Sequence, residues 1–142
     1  MINQNLRKRI GEEGYINSCF YDCQSYDNSI IGVDVNGKIV YVYNYMIDEY
    51  IKDEYPNLNS ENAIEQEDAY ISAIEWIDVN TMRATPYMSS LGIPPVIIDY
   101  NPEDDSIYNV ISGEVYNIDD IVFKVEDKFN EFLDDLNDYK QI

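Results

Sequence analysis

Carboxylates supply most of the reactive side chains here: 28 Asp and Glu stand against 9 Lys and Arg, with no histidine. The lack of imidazole removes Ser-His-Asp and Cys-His nucleophiles, the HExxH zinc helix and the commonest general base at neutral pH. Carboxylate, tyrosine, lysine and thiol chemistry remain. Cys19 and Cys23 are separated by three residues, which fits neither a CxxC redox motif nor a disulfide-dense secreted framework, and two thiolates fill only half of a tetrahedral zinc site. They read as a buried or idle reduced pair in an intracellular compartment. Asp99, Asn101 and Glu103 place oxygens at the first, third and fifth positions of a calcium loop, but Asp104 replaces the glycine at the sixth and Val110 stands at the twelfth. A solvated acidic turn is therefore expected. Carboxylates alone can build a two-metal centre, yet a site acting on a polyanion surrounds its ions with Lys and Arg. The sequence is read as non-catalytic, without cofactor or metal.

The charge is one-sided. Arg7, Lys8 and Arg9 sit in the first ten residues, and from residue 11 onward 6 basic side chains face 28 acidic ones within a net charge of −19. Such a surface repels duplex DNA and anionic lipid, because nucleic-acid affinity comes largely from cations that displace condensed counterions. Direct binding of nucleic acid or of a membrane surface is not expected. The basic stretch is followed by no apolar run, so no signal peptide is read. The runs at Ile39 to Tyr43 and Pro94 to Ile98 are strand-length. A soluble, cytoplasmic protein is expected.

The elements that would position these groups follow from periodicity. At 142 residues, with 45% apolar side chains and 14 tyrosines, the chain reads as a single folded domain, 1–142. Ile30 to Val35 and Lys38 to Tyr43 flank Asn36-Gly37, which predicts a hairpin over about 30–43 with a type I′ turn. Asn44 would cap a helix over about 45–55, with Met46, Ile47, Tyr50 and Ile51 inward and Asp48, Glu49, Asp53 and Glu54 outward, ended by Pro56. A polar loop, 57–62, leads to a second helix over about 67–82, with Tyr70, Ala73, Ile74, Ile77 and Thr81 on one side. Val96-Ile97-Ile98 reads as a buried strand, 99–106 as a turn, and 107–111 and 114–116 as short strands. Apolar residues from Ile118 to Leu136 recur at three- and four-residue steps, predicting a helix over about 118–138. Glu126, Asp127, Glu131, Asp134, Asp135 and Asp138 lie outside its stripe. The β-branched Ile121-Val122-Phe123 is equally compatible with a strand that feeds a shorter helix. The expected fold is α+β, a small antiparallel sheet packed against two or three amphipathic helices, with the place of residues 1–28 left open.

Tyr15, Tyr21, Tyr26, Tyr41, Tyr43, Tyr45, Tyr50, Tyr55 and Tyr70 are too many for one small core, so some are expected at the surface, where tyrosine favours protein interfaces. Arg83 sits at a helix end, where it meets exposed carbonyls or a nearby carboxylate.

Two stretches, Ser29 to Met46 and Ala73 to Met88 with Pro95 to Ile98, resemble a family of small, acidic, functionally uncharacterised proteins encoded by phages and mobile elements of low-GC Gram-positive bacteria. The family pattern carries an Asn-Thr-Ile-Arg-Ala-Leu-Pro-Tyr run near the helix end. Asn80 to Tyr87 is similar to it, with Met82 and Thr85 as departures, and 54–68 looks like an insertion. No activity comes with that resemblance, but it implies a context in which short acidic proteins inhibit host defence, anti-CRISPR proteins among them.

The leading expectation is a non-catalytic acidic protein that inhibits a basic, nucleic-acid-binding host protein, such as a CRISPR effector or another nuclease, by nucleic-acid mimicry. Its partner-binding residues would be Asp48, Glu49, Asp53 and Glu54 on one helix and Glu126, Asp127, Glu131, Asp134, Asp135 and Asp138 on the last. The alternatives are a tyrosine-rich apolar interaction module or oligomer, whose acidity serves solubility, and a carboxylate-only divalent-metal enzyme.

Overall fold

The computed structural model describes residues 5–59 and 61–140, with side chains through residue 138. Its centre is β1 (Ile30–Asp34) and β2 (Ile39–Val42), every residue of which is buried. A strand covered on both faces reads as a nearly continuous apolar run, which is why these runs do not alternate; the buried exception, Asp34, ends β1 with its carboxylate hydrogen-bonded. The chain then enters α2 (Tyr43–Glu54) and α3 (Ala63–Ile77) and returns as β3 (Val96–Asn101), followed by β4 (Ser106–Asn109), β5 (Ile121–Lys124) and α4 (Glu126–Lys140). A short helix, α1 (Leu6–Glu12), precedes them all.

The α+β class holds, but the sheet is mixed, in the order β4-β3-β2-β1-β5. The β2–β3 pair is parallel, with Val40 opposite Val96 and Val42 opposite Ile98. This corrects the expected antiparallel sheet: the chain between those strands is a helical crossover, and a crossover brings it back in the direction it left. Successive β2 residues serve opposite cores. Ile39 and Tyr41 join Leu6, Ile10, Met46, Ile47, Ala73 and Ile77 on one face, while Val40 and Val42 join Phe129, Phe132 and Leu136 of α4 on the other.

The hairpin forms with a different turn from the one predicted. Among the described residues Asp105 is the only non-glycine with positive φ, so Asn36 does not take the type I′ conformation; Gly37 does go left-handed, at φ +78°. Gly37 N donates to the Asp34 carbonyl (2.9 Å), and Asp34 N donates to the Lys38 carbonyl (3.0 Å). Asp34 Oδ1 accepts from Asn36 N (2.9 Å) and Lys38 N (3.0 Å), and Oδ2 accepts from the Tyr116 hydroxyl (3.0 Å). A buried aspartate thus sets a three-residue loop closed by glycine, the arrangement of a type I turn with a bulge.

Other boundaries shift for identifiable reasons. Asn44 lies inside α2, whose first residue is Tyr43, and caps nothing. α3 begins earlier than 67 because the Asn62 side chain accepts from Ile64 N (3.1 Å) and Glu65 N (3.2 Å). Its end widens into a π-helical turn, Asp78–Met82. Residues 118–123 resolve towards the strand reading: a 3-10 turn (Ile118–Asp120) precedes β5, and the last helix begins at Glu126. Among the described residues no helix is long and apolar enough to cross a membrane.

Residues 5–28 pack on the core rather than lying free. Leu6, Ile10, Tyr21 and Tyr26 are buried, and Arg7 fastens the segment. Its Nε and Nη2 donate to the two carboxylate oxygens of Asp27 at 2.8 Å each, Nη2 also donates to the Tyr21 carbonyl at 2.8 Å, and the guanidinium lies 4.7 Å from the Phe20 ring centroid. Asp27 is only 5% exposed, so Arg7→Ala would leave its charge unpaired. After discounting for the partly exposed Arg7, the expected loss is roughly 1–3 kcal/mol, read as a lowered urea midpoint with unchanged slope. Arg7→Lys should recover only part of it, since an ammonium cannot reproduce the bidentate geometry.

Candidate functional site: an acidic groove between α2 and α4

Asp48 and Glu49 of α2 and Glu131 and Asp135 of α4 line one groove of about 310 Å³, together with Asn28, Asn44, Tyr45, Lys52 and Lys128. Tyr45 joins the helices: its hydroxyl donates to Asp135 Oδ2, and its ring meets Phe132 edge-on, with centroids 6.4 Å apart at 89°. Each helix also carries a cation into the groove. Lys52 Nζ lies 3.5 Å from Glu49 Oε1 and Lys128 Nζ lies 3.3 Å from Glu131 Oε2, with Lys128 Nζ also 5.9 Å from the Tyr45 ring centroid. Two lysines against four carboxylates leave the groove negative.

The carboxylates are crowded enough to feel one another. Asp48 is pushed above the usual aspartate range, chiefly by partial burial and further by Glu49, Glu131 and Asp135, while Lys52 opposes the shift. An incoming cation beside Asp48 would relieve that repulsion and favour the charged carboxylate. The groove is therefore suited to receive lysine or arginine, and its rims stand on helices rather than on loops.

Of the ten sequence-selected residues, these four converge. The remaining six do not join them. Asp53 lies near Tyr26, which feels its charge, and Glu54 borders a separate cleft with Tyr55, Leu58, Glu65 and Asp68. Glu126 and Asp127 occupy the first turn of α4, where carboxylates offset the positive helix end, and Asp134 and Asp138 are exposed elsewhere on α4. Lys52, Lys128 and Tyr45 were not selected from sequence as groove residues, although the spacing of Glu49 to Lys52 and of Lys128 to Glu131 is the helical ion-pair signal.

The tyrosines distribute mainly inward. Tyr21, Tyr26 and Tyr41 are buried, Tyr15, Tyr43, Tyr45, Tyr50 and Tyr55 are half-buried, and of the nine only Tyr70 is exposed. Arg83 Nη2 lies 3.4 Å from Asp78 Oδ2, the carboxylate pairing that was one of the two alternatives for it. Cys19 and Cys23 are free thiols, half-buried and exposed respectively. Asp99 and Asn101 belong to β3 rather than to a turn. Among the described residues no group of three Asp, Glu or Cys side chains stands close enough to hold a metal ion.

Asp99 carries a different perturbation. Burial raises it from the ordinary 3.8 to about 6, against the opposing donation from Tyr100 N, and it has no ion-pair partner among the described residues. A carboxyl raised in the folded state binds more protons there than when unfolded. Its contribution to stability is therefore fullest below pH 3.8 and is lost as pH rises through about 6. Asp99→Asn keeps an acceptor for Tyr100 N and removes the charge. It is expected to stabilise the protein at pH 7 by ~1–3 kcal/mol and to flatten the fall of Tm across that window, checked by thermal melts at stepped pH.

Comparison with protein-family models, with curated proteins and with solved structures finds no match for this chain.

Proposed function

We propose that this protein is a non-catalytic acidic binding protein that inhibits a basic, nucleic-acid-binding host protein by nucleic-acid mimicry. A phage or mobile-element inhibitor of host defence, such as an anti-CRISPR, is the form of that function implied by the resemblance of Ser29 to Met46 and Ala73 to Met88. One observation carries the reading: carboxylates from two helices far apart in sequence converge in a single groove. A rigid scaffold that holds anionic oxygens at fixed spacing can enter a cationic cleft in place of phosphates, and the −19 net charge speeds the encounter.

The surplus follows from 28 acidic against 9 basic side chains, and several of those cations are already committed within the chain. Arg7, Lys8, Lys52, Arg83 and Lys128 each pair with a carboxylate of this chain. Few positive groups are left to oppose a cationic partner.

The test is a salt titration of binding against purified basic nucleic-acid-binding proteins, CRISPR effectors and other nucleases included. Affinity should fall about tenfold or more between low and physiological salt, as phosphate-like contacts require. Affinity indifferent to salt would instead support the apolar interaction module, which the exposure of Trp76, Tyr87 and Leu91 favours as the second reading.

A further inference from the structure

We propose that the cleft between residues 19–26 and the π-helical end of α3 is an anchor site for an apolar side chain carried on a basic segment of a partner protein. The cleft measures about 450 Å³, and Phe20, Tyr21, Tyr26, Trp76, Met88 and Leu91 supply its apolar lining. Cys19, Asp22, Cys23, Asn80 and Thr81 line it as well, and the Tyr21 hydroxyl and Thr81 carbonyl are satisfied internally. Tyr21 Oη and Thr85 Oγ1 are 2.7 Å apart, and Thr85 Oγ1 donates to the Thr81 carbonyl at 2.9 Å. An entering group therefore meets mainly hydrocarbon.

The rim is unusually exposed for such side chains. Trp76 is 51% exposed and Leu91 80%, with Tyr87 and Val79 also exposed nearby in the chain. Clustered exposure of this kind marks interaction surfaces. The backbone is also irregular there: Arg83 N donates to the Asp78 carbonyl at 3.1 Å, a π-type bond, and Asn80 Nδ2 donates to the Trp76 carbonyl at 3.1 Å. Interruptions of this kind in helices recur at functional sites.

Charge decides the occupant. Beside the cleft Asp78 is bound to Arg83, and Asp22 lies within reach of the Arg7 guanidinium that covers Phe20, so the selection is made by the net charge of the whole chain. A second copy would bring −19 against −19, a repulsion that disfavours self-association, whereas a lysine- or arginine-flanked segment is drawn in. A leucine- or phenylalanine-sized side chain would enter the cleft lined by Trp76 and Leu91. The site rests on the proposed function only in that the partner is cationic; its apolar contact is independent of the α2–α4 groove.

Trp76 is the only tryptophan of the chain, so its emission reports on the cleft directly. Three synthetic peptides serve as probes: a Lys/Arg-rich peptide with a central Leu-Phe pair, the same peptide with Ser at that pair, and a Glu-rich peptide with the pair kept. The first should shift Trp76 emission to the blue in a saturable way, the second should leave the emission unchanged, and the third should not bind. Leu91→Glu should weaken the first interaction tenfold or more. Thermal melts will show whether this exposed substitution keeps the fold, and Leu91→Ser, expected to weaken binding several-fold, provides a milder variant if it does not. Equal shifts from the first two peptides, undiminished binding by both Leu91 variants, or equal binding of the Glu-rich peptide would overturn the proposal. A shift that follows protein concentration alone would assign the cleft to a second copy and overturn it too. In Asp48→Asn/Asp135→Asn the Trp76 shift should persist even where salt-sensitive affinity falls, so failure of the cleft and failure of the groove are read separately.

Discussion

Replacing Asp48, Glu49, Glu131 and Asp135 together by their amides is expected to weaken binding to a basic nucleic-acid-binding partner by about 10²–10³, with most of the salt dependence lost. Each carboxylate facing a cation contributes on the order of 1 kcal/mol, and four such contacts give that range. The effect is sharpened locally, because Lys52 and Lys128 now pair with Glu49 and Glu131. With those acids neutralised, the two lysines would confront the partner's own positive charge. A control with the same loss of charge at Glu61, Glu67, Glu103 and Asp104, all exposed and outside the groove, should weaken binding by about tenfold or less, through the long-range field alone. Equal losses from the two variants, measured by calorimetry, would mean that total charge matters and its placement does not. Stability should survive in the groove variant, since Asp135→Asn retains an acceptor for the Tyr45 hydroxyl and the mutual repulsion that Asp48 feels from Glu49, Glu131 and Asp135 is removed with the charges.

Gly32→Val should have the largest effect on the fold. Gly32 pairs with Lys124 across the β1–β5 ladder and borders the register shift between Ile30 and Gly32 in the β1–β2 ladder. A Cβ placed there would overlap the Phe123 carbonyl oxygen and come within 2.5 Å of Ile121 Cγ2. Relief requires β5 to move away from β1, and β5 leads directly into α4. The expected cost lies at the upper end of overpacking, ~3 kcal/mol. Hydrogen exchange should show it as lost protection in β5 and α4 while the β2–β3 pair remains protected. Because α4 supplies Glu131 and Asp135, the same substitution should also weaken partner binding. Uniform loss of protection across the whole sheet would contradict this local account.

The central hairpin, the buried Val96-Ile97-Ile98 strand and the amphipathic end of the chain were legible because each rests on local pattern. The hairpin turn departs from the type I′ form that Asn36-Gly37 predicts because Asp34 governs it. An aspartate three residues before a glycine is the signature of a type I turn, and the Asp34 side chain makes it one. Similarly, Asn62 followed three residues later by Glu65 marked the start of α3 within what had looked like loop. The parallel β2–β3 pair left no such local mark, since pairing is decided by how the helical crossover packs. The groove was legible by halves. Periodicity puts the Asp48 and Glu131 flanks outward on their own helices, but only the Tyr45 contacts to Asp135 and Phe132 show which parts of those flanks face each other.

The most direct measurement is competition. A labelled duplex or guide RNA is bound to the basic partner, and the protein is titrated in at fixed ionic strength. The account predicts complete displacement, an apparent inhibition constant that rises in proportion to nucleic-acid concentration, and loss of displacement in the amide variant of the groove. A stable ternary complex of partner, nucleic acid and protein, or undiminished displacement by that variant, would contradict it.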